Sequence, residues 1–100
     1  MLIYQVNVEI DASIKTTWVE WMKEQHIPAV MATGTFSRHI FNERIDSLDQ
    51  NISIYTILYF CENESKLDEY FKKFAKKLQE EHNDRFEGNF TATRSILRSF

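Results

Sequence analysis

His26 is the residue best placed to do chemistry. It stands just before Ile27 and Pro28, where the hydrophobic period of the preceding residues runs out and a helix is expected to end. Imidazole titrates near neutral pH, so a histidine there can give or take a proton beside a cavity. The carbonyl end of a helix would favour its charged form. Glu9 comes next, at the end of the row Gln5, Asn7, Glu9. Residues two apart share one face of a strand. On such a face Asn7 can orient a ligand and Glu9 can act as a base. Trp18 and Trp21 can wall a pocket for a planar ligand, and Tyr55 and Tyr59 can hydrogen-bond one. Arg38, Arg44, Arg94 and Arg98 can hold an anion.

Each of these residues also has a plainer role. His26 can cap helix carbonyls or pack. The tryptophans lie at helical spacing and can simply build the core. The tyrosines can pack across strands, and the polar row can be solvated or buried in an interface. The arginines can pair with the fifteen acidic residues. Cys61, in or next to an apolar strand, reads as an inert buried thiol.

Other chemistries lack their signatures. His26, His39 and His82 fall on different elements without paired ligand spacing, so no metal is expected. No glycine-rich phosphate loop or nucleophile elbow occurs. RNA-recognition modules of similar element order carry a basic-Gly-aromatic motif on the third strand. Here that strand reads NISIYTILYF, without glycine or a basic residue. Twelve basic and fifteen acidic residues give a net charge of −3, so nucleic acid and anionic lipid feel no overall attraction. No apolar run approaches the ~20 residues of a membrane span, and the alternating N-terminus does not read as a signal peptide. A single cysteine fits a reducing compartment. The expectation is a cytoplasmic domain with no cofactor, no nucleic acid partner and no membrane contact.

The positioning elements follow from periodicity. The chain has 100 residues, 43% of them hydrophobic, which suits one domain over 1–100. Residues 2–10 alternate as a strand, with Leu2, Tyr4, Val6, Val8 and Ile10 on one face. Asp11 and Ser13 can cap a helix carrying Ile14, Trp18, Trp21 and Met22 on its buried stripe. A break or kink is expected near His26–Pro28, then a short helical turn stopped by Gly34. Residues 35–45 read as a strand, 46–50 as a polar turn, and 51–61 as a central strand apolar on both faces. A second helix follows, capped by Asn63 or Ser65, with Leu67, Tyr70, Phe71, Phe74 and Leu78 buried. Its end is expected between His82 and Gly88, and residues 89–99 form the last strand. The order βαββαβ is the split βαβ motif, with two helices on one face of a four-stranded antiparallel sheet. The other face is then open. It should carry Gln5, Asn7 and Glu9, and the row Tyr55, Ile57, Tyr59 is expected to face away from the helices. A second copy or a ligand would cover it.

The segment WxxWMKEQHIPAVMATG (Trp18 to Gly34) and the opening strand IYQVNVEID (Ile3 to Asp11) resemble a small bacterial family, DUF4286, and the order of elements extends the likeness over nearly the whole chain. The resemblance implies a ferredoxin-like subunit similar to the dimeric α+β barrel superfamily. It implies no activity. Two readings follow. One is a homodimeric binding or interaction module that uses the open sheet face. The other is a small-molecule enzyme, a cofactor-independent oxygenase or an isomerase. There His26 is acid or base, Asn7 and Glu9 orient the substrate, and the tryptophans wall the pocket. A haem or flavin binder is a weaker third, since nothing marks an axial histidine. The two main readings differ on one point: whether His26 and Glu9 open into the same cavity.

Overall fold

The computed structural model describes all 100 residues. Strand β1 (Leu2–Asp11) leads through a tight turn into helix α1 (Lys15–Trp21), a π-helical turn (Met22–His26) and helix α2 (Ile27–Ala32). Strands β2 (Arg38–Arg44) and β3 (Ile52–Cys61) follow, then helices α3 (Glu64–Lys73) and α4 (Ala75–Phe86), and strand β4 (Phe90–Arg98). The strands form one antiparallel sheet in the order β2-β3-β1-β4. This is the ferredoxin-like α+β arrangement, with β1 and β3 central as their apolar content requires.

Local chemistry sets the helix ends. The Asp11 carboxylate accepts from the Ser13 amide at 3.0 Å and from its hydroxyl at 2.8 Å. These two bonds hold its pKa below the usual carboxylate range. Asn63 Oδ1 accepts from the Lys66 amide at 3.0 Å and starts α3. Gly34 (φ 76°) and Gly88 (φ 82°) take the left-handed turns that stop α2 and α4.

Four features depart from the sequence expectation; the smallest is Phe71, expected in the buried helix stripe but 41% exposed. The helix does not break near His26–Pro28; it widens by one π turn and runs on to Ala32. A proline in a regular α-helix lacks an amide donor, and its ring meets the carbonyl four residues back, here that of Glu24. In the wide turn the Ile27 amide instead reaches the Met22 carbonyl, five residues back. The second helix is split at Phe74 (φ −124°, ψ −36°) rather than continuous. Finally, Tyr55, Ile57 and Tyr59 face the helices, not away from them, and all three are buried. They stand opposite Val8, Val6 and Tyr4 of β1. Directly opposed residues share a face, so the core row of β1 fixes that of β3. The open face carries Ile54, Thr56, Leu58 and Phe60 instead.

The core lies between the helices and this inner face. Trp18, Ile10 and Cys61 are fully buried in it.

Candidate functional site

A cavity of about 30 Å³ lies between sheet and helices. That is room for one or two waters. Tyr4, Val6 and Val8 of β1, Ile57 and Tyr59 of β3, and Ala92 and Arg94 of β4 form its floor and rim. The roof is Met22 and His26 from the π turn, Tyr70 from α3, and Gln79 and His82 from α4. The turn matters to this placement. Widening the helix by one residue advances His26 relative to the Trp18–Trp21–Met22 stripe and brings it over the sheet. Such turns recur at functional sites.

Two imidazoles therefore meet over the cavity, ring centres 5.7 Å apart. His82 is only 6% exposed and sits on the buried stripe Leu78–His82–Phe86. Its Nε2 accepts a 2.9 Å hydrogen bond from Trp18 Nε1, and its ring meets the Phe90 ring at 4.4 Å, edge to face. His26 stacks on Trp21 at 5.2 Å. Its Nδ1 is buried and has no hydrogen-bond partner.

Both histidines are pushed down to about 4. For His26 the main cause is burial, followed by the positive charge of Arg94. For His82 it is burial, then His26 and Arg94, with Asn83 opposing weakly. Both rings are thus neutral at pH 7. The expected dipole preference for imidazolium at His26 is absent because the helix does not end there, and burial then dominates. Burial also raises the hydroxyls of Tyr59 and Tyr70. It raises that of Tyr4 as well, partly offset by Arg94 and Gln79 beside it.

The site residues expected from sequence separate into three places. His26 lines the cavity. Glu9 and Asn7 lie on the opposite, open face, over a shallow polar basin shared with Arg44, Thr56, Thr91 and Thr93. There Asn7 Oδ1 accepts from Thr56 Oγ1 at 2.9 Å, and Glu9 accepts from Thr91 Oγ1 at 3.2 Å. The sheet separates Glu9 from His26, so the two do not form an acid–base pair. Trp18 and Trp21 sit behind the histidines and do not line the cavity. Tyr55 lines a separate groove with Lys23 and Glu43, and its hydroxyl donates to Glu43 Oε2 at 3.0 Å. Burial, and then Glu43, push that hydroxyl up to about 12. His82, Arg94, Gln79, Tyr4 and Tyr70 complete the cavity without having been grouped from sequence. The available signal was His82 itself, a polar residue on an otherwise apolar helical row.

No group of three or more His, Cys, Asp or Glu side chains is arranged to hold a metal ion. No helix is long and apolar enough to cross a membrane.

Fold and cavity together define a ferredoxin-like α+β fold with paired neutral histidines between helices and sheet. The chain belongs to the family described as Domain of unknown function (DUF4286), whose family model matches residues 1–100. No curated protein matches it in sequence. Among solved structures it is similar to an ethyl tert-butyl ether d (ethd) family protein from Bacillus halodurans c-125, with TM-score 0.70 and 12% identity over all of both chains. It is similar to a dimeric ferredoxin-like protein from an uncultured marine organism, with TM-score 0.64 and 10% identity over 100% of this chain and 97% of that one. It is also similar to SnoaB, a cofactor-independent oxygenase from Streptomyces nogalater, with TM-score 0.61 and 10% identity over 99% and 93%. At such identities the likeness is one of fold.

Proposed function

We propose that the protein works as a homodimeric binding module whose subunits meet through the open face of the sheet. The observation that carries this reading is the pattern of that face. Ile3, Ile40, Leu58, Phe60 and Leu97 gather at one end in paired register, with no helix over them. Ile40 and Leu97 are 37% and 39% exposed. The Arg38 guanidinium lies over Phe60, 3.9 Å from its ring centre. Strands about 4.8 Å apart that rise about 3.3 Å per residue give this face roughly 500–600 Å². Two copies would bury about 1,000–1,200 Å², the lower bound for a specific interface. The loop between β2 and β3 adds Ile45 and Leu48, 89% and 97% exposed. Similar structures described as dimeric support the reading at the level of fold.

Native mass spectrometry and light scattering test it. The expected result is a mass of two chains. Ile40→Glu and Leu97→Glu should each yield monomer with an unchanged circular dichroism spectrum, because both side chains project from the subunit. A wild-type protein that stays a single chain at high micromolar concentration rejects the reading.

A second reading, a small-molecule enzyme, is favoured by one specific observation: the unpartnered His26 Nδ1 over a cavity. In it His26 is the acid or base, and His82, rather than Glu9, is its titratable neighbour.

A further inference from the structure

We infer that the cavity under His26 takes a small planar organic anion, a carboxylate or phenolate on an apolar ring, with Arg94 as the anchor for its charge. This deepens the second reading above and rests on it.

The first support is the state of Arg94. The other four arginines each pair with a carboxylate or lie against an aromatic ring. Arg44 pairs with Asp46 and Arg98 with Glu64. Arg38 lies over Phe60, and Arg85 lies near Trp21 and Phe86. Arg94 makes no salt bridge and stacks on no ring. Its side chain stands at the rim of the cavity beside the Tyr4 hydroxyl. The second support is the lining. It contains no aspartate or glutamate, so nothing inside competes for the guanidinium. It does contain uncharged hydrogen-bonding groups: Gln79, the Tyr4 hydroxyl and His26 Nδ1. The remaining walls are apolar or aromatic, suited to a flat hydrocarbon body. An anion at this point gains a charge-assisted bond.

The cavity as it stands is smaller than such a ligand. Room must come from Gln79 and Arg94, long side chains at the partly exposed rim that can turn outward, and from the adaptable Met22 thioether repacking within the core. The bound anion should also act on the histidines. It cancels the field of Arg94 at His26, so the His26 pKa should rise on binding.

Benzoate and the isosteric neutral benzamide are the probes, followed through the imidazole nitrogens of ¹⁵N-histidine-labelled protein. Benzoate is expected to shift the His26 and His82 signals saturably at millimolar concentration and to raise the His26 pKa. Benzamide should bind at least about tenfold more weakly. Arg94→Gln, at an exposed position, should fold normally and abolish that difference. Equal binding of the two probes overturns the anion assignment while leaving a cavity ligand in place. No saturable shift with either overturns both the assignment and the small-molecule reading beneath it.

Discussion

The Trp18–His82 hydrogen bond couples the centre of the core to the cavity roof. A buried N–H donor on Nε2 stabilises the neutral ring. Trp18→Phe removes this donor while keeping an aromatic plug. It should cost about 1–3 kcal/mol for the acceptor left unsatisfied, plus a packing loss, read as a lower urea midpoint. The His82 pKa should rise in a histidine NMR titration. If it stays put or falls, the indole is not what keeps the ring neutral. At this scale the sequence was partly legible. His26 stood out as a titratable residue two positions before a proline. His82 did not, because its importance comes from partners on other elements: Trp18, Phe90 and His26. Glu9 was legible as a residue of the polar strand face. That His26 looks at the other face depends on a helical turn whose width periodicity does not reveal.

Among elements, the strands and caps were the readable part. The alternation in residues 2–10 and the apolar run 51–61 place both central strands to within one residue. Asp11 and Asn63 cap as their side chains allow. The facing of β3 was not readable from its own residues, since both its rows are apolar; pairing with β1 decides it. The π turn was hidden because Pro28 is compatible with a break, a kink or a widened turn, and only packing selects among them. Pro28→Ala tests which force holds the wide turn. Alanine restores an amide and removes the ring clash, effects worth up to ~3 kcal/mol in a helix interior. The turn should tighten toward a regular helix, Tm should rise, and the His26 imidazole signals should move as its stack on Trp21 is lost. Unchanged imidazole signals would mean that Trp21 and Met22, seated in the core, hold the turn without the proline.

For the molecule as a whole, the two neutral histidines make stability depend on pH. Their folded values lie near 4, against about 6.5 in an unfolded chain. Between these values the unfolded chain binds more protons than the folded one, so stability rises with pH there. It should be at its full value above about 6.5 and fall as pH drops toward 4, with a slope approaching about 2.7 kcal/mol per pH unit if both rings take up a proton. Urea unfolding at a series of pH values between these limits measures that slope. His82→Phe should roughly halve it, and a flat profile would contradict neutral, buried imidazoles. The sheet that supports them is bounded by β2 and β4. The four arginines of the sheet, Arg38 and Arg44 on one side and Arg94 and Arg98 on the other, all lie on these outer strands. Charged side chains on outer strands discourage another strand from adding there. A face can be covered once, and the assembly then closes. An edge can be extended without limit, into a growing ribbon. In the proposed dimer, arginines on the outer strands and an apolar patch at one end of the open face would favour a closed pair over polymerisation.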